Sequence, residues 1–169
     1  MQIRLIRADE CDALARITVA AYRQLNGDQP LGPYEEELRD VEGRRRDSEV
    51  YVALDDDGTL LGGVTFVPGP THAMAEFTDP GASGIRMLAV DPAHQGRGAG
   101  GALVRTCIRR AREQHRERII LHSAPTMTLA QAMYVRMGFV AAPELDEYVH
   151  EGPYSDGEGL HLRAFVLTT

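Results

Sequence analysis

Lysine is absent from this sequence. A nucleotide-hydrolase phosphate loop, which needs a lysine followed by Ser or Thr after its last glycine, is therefore excluded. Cysteine is scarce, and Cys11 and Cys107 fit reduced thiols in a reducing compartment better than a disulfide framework. No apolar run approaches the ~18 residues of a membrane span. Residues 1–10 lack the long apolar region and cleavage site of a signal peptide, so a cytoplasmic location is expected. Positive charge is in deficit: 18 arginines against 25 acidic residues give a net charge of −7, which argues against broad attraction to nucleic acid or an anionic membrane. The histidines, at 72, 94, 115, 122, 150 and 161, show no metal-ligand spacing, and no metal is expected. No repeat or linker appears, and 169 residues with 43% hydrophobic and 25% charged content suit one domain over 1–169.

What the chain does hold is concentrated in residues 85–103. A mostly apolar run of strand length, residues 85–90, is stopped by Asp91-Pro92, because proline has no amide proton for a sheet ladder. Gly96, Gly98, Gly100 and Gly101 then crowd before an amphipathic run through Leu103, Val104, Cys107, Ile108 and Ala111. That is a strand, a glycine turn and a helix. Each glycine weakens the first helical turn by up to ~1 kcal/mol relative to alanine. A helix start also carries unpaired amide protons and about half a positive charge, and glycine lets a ligand's oxygens approach the backbone. The stretch reads as a phosphate cradle, the alternative being a turn whose glycines merely permit tight helix entry. Cys107 lies on the apolar stripe and is expected to pack as a small hydrophobe.

Gly96-x-Gly98-x-x-Gly101 satisfies the dinucleotide fingerprint, but that fingerprint also wants an acidic residue about 20 positions on, where this chain has His122-Ser123. A second pattern, Gln/Arg-x-x-Gly-x-Gly/Ala, is matched position for position by Gln95-Gly96-Arg97-Gly98-Ala99-Gly100. Farther on, Tyr134-Val135-Arg136-Met137-Gly138-Phe139 gives Tyr-x-x-x-Gly-Phe, one strand and one helix after the cradle. With these two landmarks the chain resembles the GCN5-related N-acetyltransferase (GNAT) family.

The resemblance implies an α/β fold: a mixed, mostly antiparallel central sheet of about six to seven strands flanked by four helices. The residues supply matching elements. Strands are expected at 2–7, 50–54, 60–67, 85–90, 118–123, from Phe139, and at 160–167; helices at 10–25, from Pro33 to about Arg46, from the glycine turn to about Gln114, and at 127–137. Asp9 is placed to cap the first helix. Asp55-Asp56-Asp57-Gly58 reads as a hairpin turn. Arg44, Arg45 and Arg46 suit the solvated C-terminal end of the second helix.

The resemblance also implies acetyl-CoA as co-substrate, held by the backbone of Leu88, Ala89 and Val90 and by the loop Gln95, Gly96, Arg97, Gly98, Ala99, Gly100 and Gly101, with Tyr134 and Arg136 completing the set. The reaction would be transfer of the acetyl group to a small-molecule or peptide amine by direct attack. The amide of Leu88 is then suited to stabilise the oxyanion, and Tyr134 to give the departing thiolate a proton. An alkylammonium acceptor needs a base. The family often supplies a glutamate just before the coenzyme strand, where this chain has Gly84, so Glu76 is the expected substitute, with His122 second. Met127 stands where many members have an asparagine. The acceptor wall is expected from loops 26–34, 68–84 and 143–159; the acidic residues at 144–147 suit attraction of a cationic acceptor and a solvated turn equally well. A homodimer matches family habit. The competing readings are a non-catalytic acyl-CoA sensor that lost its base and a dinucleotide-binding oxidoreductase.

Overall fold

The computed structural model describes residues 1–28, 30–149 and 160–169; Gln29 and residues 150–159, with His150 and the expected polar loop 152–159, lie outside them. In chain order the elements are β1 (Gln2–Leu5), α1 (Cys11–Leu25), α2 (Tyr34–Arg39), α3 (Val41–Asp47), β2 (Glu49–Leu54), β3 (Leu60–Val67), β4 (Ala82–Val90), α4 (Ala99–Glu113), β5 (Arg118–Ser123), α5 (Thr128–Arg136), β6 (Val140–Ala141), β7 (Glu147–Val149) and β8 (Leu160–Thr168). The strands follow the order β1-β2-β3-β4-β5-β8-β6, with β7 paired to β8. All pairs are antiparallel except β4 with β5. Among the described residues no helix is long and apolar enough to cross a membrane.

Each sheet face carries its own core. On one side the stripe Leu103, Val104, Cys107 and Ala111 of α4, with Tyr134 and Phe139, packs on Leu61, Phe66, Ile119, Leu121 and Phe165. Cys107 is fully buried there, and burial pushes its thiol well above the ordinary range, so it packs and does not react. On the other side Leu14 and Ala15 of α1 and Val41 of α3 pack on Val50, Val52 and Leu54.

Four local readings need correction. The single helix expected from Pro33 to about Arg46 is two, because Asp40 leaves the helical region at φ −76, ψ 61 and its side chain accepts from Gly43 N–H at 2.8 Å, capping α3. Arg44 is not solvated. It is 3% exposed and donates to the carbonyls of Glu37 and Leu38 at 2.8 and 3.2 Å, closing the end of α2, while Arg45 and Arg46 pair with Glu42. Asp9 caps nothing; Glu10 accepts from Arg7 N–H at 2.9 Å and binds Arg4 through both oxygens. The 55–58 turn is a turn: Asp55 Oδ1 accepts from the amides of Asp57 and Thr59 at 3.0 and 2.8 Å. β4 starts at Ala82, three residues before the expected strand, because 82–84 pair in parallel with 118–120.

Candidate active site

Val90 ends β4, and Asp91 accepts from Ala93 N–H at 2.9 Å to form the proline turn. Gln95 ties the loop down by donating to Val90 C=O at 3.4 Å and to Gln24 Oε1 at 3.1 Å. Gly96 and Gly98 then take φ of 78° and 84°, a region L side chains rarely adopt. Left-handed Gly98 followed by helical Ala99 aims successive amides into one concavity. The first-turn amides of α4 have no intrahelical acceptor and no side-chain cap, and a Cβ at 96 or 98 would meet no protein atom within 4 Å. Free donors, a positive helix end and open space are what a pyrophosphate requires. Arg97 is exposed beside them.

The strand feeding this loop is broken in register. Gly63 pairs with Ala89 but Thr65 pairs with Arg86, so one residue of β3 opposes two of β4, and Met87 within the bulge has φ of 50°. Ile85, Leu88 and Val90 all pack toward the α4 face although 85 and 88 differ by an odd number; the bulge has flipped the alternation. Met87 is anchored on the opposite side among Val19, Tyr22, Leu31 and Leu38, which holds the strained backbone in place. Asp91 N–H donates to Leu61 C=O at 2.8 Å, so by alternation Ala89 faces β3 while Leu88 and Val90 turn their amides the other way. That way is the β5 side, where pairing ends at Gly84 with Ile120. β4 and β5 splay apart beyond it, leaving a backbone edge of β4 without a strand partner.

At the splay lies a cavity of about 300 Å³ whose walls include Tyr22, Tyr34, Arg86, Met87, His122 and Met127. Glu76 lies on the wall with Oε1 2.7 Å from Arg86 Nη2 and Oε2 3.2 Å from His122 Nδ1. His122 Nε2 reaches Leu145 C=O at 2.9 Å. With an acceptor at both nitrogens, the ring is held as an imidazolium donating twice. Burial by itself lowers its pKa; the Glu76 carboxylate and the Leu145 carbonyl outweigh burial and raise it. Glu147 completes the group, with donor atoms of Glu76, His122 and Glu147 all within 4.8 Å of one another. That separation could hold a cation, but Arg86 and the imidazolium already bring positive charge to Glu76. Burial, and then the nearby Glu76 charge, raise the pKa of Glu147.

The sequence matches the acetyltransferase (GNAT) family over residues 13–139. The chain belongs to that family. Its fold agrees with solved GNAT structures. A ribosomal-protein-alanine N-acetyltransferase from Brucella melitensis superposes with a TM-score of 0.72 at 22% identity over 100% of both chains. A GCN5-related N-acetyltransferase from Kribbella flavida gives 0.72 at 22% over 99% of this chain and 97% of that one. The structure of yncA from Salmonella typhimurium with its cofactor acetyl-CoA gives 0.71 at 19% over 99% and 93%. A sequence search of curated proteins gave no match. The sheet and helices are those expected of a GNAT chain; among the described residues the eighth strand is the short β7, and the fifth α-helix comes from the break at Asp40.

Tyr134 of this GNAT domain is 6% exposed, its ring tilted against Phe139 and Phe165 at centroid distances of 5.7 and 6.3 Å. Its hydroxyl has no hydrogen-bond partner among the described residues, and burial raises its pKa, so the phenol keeps its proton at neutral pH. Arg136 is exposed at the end of α5. At 84, where GNAT members often carry a glutamate, Phe77 fills the space a side chain would need. The structure brings Glu76 and His122 together and leaves Tyr134 in the α4-side core. Sequence reasoning missed Arg86 and the Met87 bulge. A lone arginine in a strand is an ordinary solvated residue, and no glycine signals the bulge.

Proposed function

We propose that this GNAT domain transfers an acetyl group from acetyl-CoA to a primary amine by direct attack within a ternary complex. The observation that carries the reading is the glycine cradle at the α4 N-terminus continuous with the unpaired edge of β4, which opens onto a cavity lined with charged side chains. Acetyl-CoA supplies the activated acyl carbon. The amides of 96–101 suit its pyrophosphate, with Arg97 and Arg136 as added positive charge, and the outward-facing amides of Leu88 and Val90, on either side of Ala89, suit the pantetheine arm. Leu88 N–H, beside the bulge, is the donor for the developing oxyanion. Tyr134 gives the leaving sulfur its proton. Glu76, on the cavity wall 3.2 Å from His122, belongs to the cluster from which the base is drawn.

Calorimetric titration with acetyl-CoA and with NAD, followed by a thiol-release assay against polyamines, aminoglycosides, amino acids and peptides, tests the reading. Acetyl-CoA binding weakened in Gly98→Glu, and thiol release with an amine, are the expected results. Binding without release for every amine would favour a sensor, and NAD binding without acetyl-CoA binding would replace the reading by an oxidoreductase.

A further inference from the structure

Charges at the mouth of the splay do not cancel. Arg86 comes from β4, His122 from β5, Glu76 from the loop before β4, Glu37 from α2 and Glu147 from β7; among the described residues the remaining titratable groups facing the cavity are Tyr22 of α1 and Tyr34 of α2. Glu76 is saturated by Arg86 and His122. Arg86 also sits 3.7 Å from Glu37 and 3.4 Å from Met74 C=O, so it has no charge to spare for an incoming carboxylate. His122 is held at both nitrogens. The carboxylate of Glu147, in contrast, makes no hydrogen bond or ion pair with any described residue, although it lies within 4.8 Å of the ligand atoms of Glu76 and His122. Its cross-strand partner Leu162, and Val149 two residues on, both line the cavity, which puts Glu147 on the cavity side of β7. Among the described residues, two cations against three carboxylates leave one negative charge, and it belongs to Glu147.

We propose that Glu147 binds the acceptor's ammonium group and takes its proton, and that the acceptor is a primary monoamine on an apolar body. This rests on the acetyltransferase reading above. The uncharged walls support the class: Met87, Ala124, Met127, Val149, Leu160 and Leu162 offer thioether and hydrocarbon surface in about 300 Å³. Among the described residues, no carboxylate on these walls remains unpaired for a second ammonium, and no cation is free for an acceptor carboxylate. In the reaction Glu147 receives one proton from R-NH3⁺, and the nitrogen lone pair forms the C–N bond as the C–S bond breaks. Tyr134 protonates the sulfur and regains a proton from the nitrogen. The amide and free thiol leave, and the proton on Glu147 passes to water. Burial raises the Glu147 pKa from its ordinary value, the direction that suits a base working at neutral pH.

The test compares 2-phenylethylamine and hexylamine with spermidine, which adds positive charges, and with phenylalanine, which adds a carboxylate. The monoamines should exceed both others in kcat/KM by at least about tenfold; a preference for spermidine or phenylalanine, or no turnover with a monoamine, overturns the acceptor class. Glu147→Gln should lower kcat/KM for 2-phenylethylamine by about 100-fold and remove the acid limb of its pH profile, which reflects protonation of Glu147 as pH falls. Its acetyl-CoA Kd should stay unchanged, which also shows that the variant is folded. Glu147→Asp should recover part of the rate. Wild-type rate and acid limb in Glu147→Gln would overturn the assignment, whereas failure of the parent chain to bind acetyl-CoA would overturn the transferase reading itself.

Discussion

A Cβ placed on Gly84 would lie 2.7 Å from Cε1 of Phe77. The ring from the loop before β4 thus occupies the space a side chain at 84 would need, while the carboxylates of Glu76 and Glu147 come to His122 from neighbouring segments. Installing Gly84→Glu should therefore lower stability by ~1–3 kcal/mol through overpacking without raising thiol release. Phe77→Ala in the same chain should recover part of the lost stability, since contacting sites couple. Denaturant unfolding and steady-state assays check both. An undiminished stability with faster turnover would mean that Phe77 yields and the position can still host a base.

Gly98 and Gly100 should respond differently to alanine. Gly98 has φ of 84°, where an L residue costs about 1–2 kcal/mol, so Gly98→Ala should weaken acetyl-CoA binding by roughly 5- to 30-fold. A Cβ on Gly100 meets Val90 Cγ2 at 3.6 Å, an ordinary contact, so Gly100→Ala should keep its melting temperature. Any loss of affinity there reports on how closely the ligand approaches the backbone. Calorimetry and thermal unfolding on the two variants separate conformation from approach.

Removing the Tyr134 hydroxyl tests its assigned role against plain packing. The group has no partner among the described residues, and the ring rests on Phe139 and Phe165. Tyr134→Phe should leave stability and acetyl-CoA Kd close to the parent while kcat falls by about 100-fold. Unchanged kcat would make the tyrosine a packing residue only.

Glu10 carries a pH-dependent part of stability. Its hydrogen bonds with Arg4 at 2.6 and 2.8 Å, together with Arg7 N–H, hold its pKa down at about 2. A depressed carboxylate stabilises the fold above its unfolded pKa of about 4.3 and loses that contribution as pH falls toward 2. Glu10→Gln should cost on the order of 1–2 kcal/mol at pH 7, and the gap from the parent should close as pH drops below about 4. Urea titrations at pH 7, 4 and 3 measure the gap; a constant difference would place the effect in shape and not in charge.

Much of this domain is written in short stretches of the chain. Residues 96–101 announce a cradle because glycine placement and the helix start act within six neighbouring positions, and the stripe Leu103, Val104, Cys107 and Ala111 announces which face of α4 is buried. The break at Asp40 was hidden, since the arginine that closes α2 comes from four residues beyond it and charge alone reads as exposure. Met87 gave no sign either: a bulge follows from the register of β4 against β3 and from the packing of its side chain under α1, neither of which is local.

The sequence by itself determined the element order, the cradle and the two landmarks of the family, because periodicity, turn chemistry and glycine spacing are properties of consecutive residues. Only the tertiary structure decided how the charges are shared. Glu76 and His122 are 46 positions apart and meet because β4 and β5 separate beyond Gly84. Arg86 faces them because it alternates with Ile85, whose side chain turns to the α4 core, and Glu147 is left over because its neighbours are already paired. A carboxylate's role depends on which partners remain free, and that is settled only when distant segments are brought within a few ångströms.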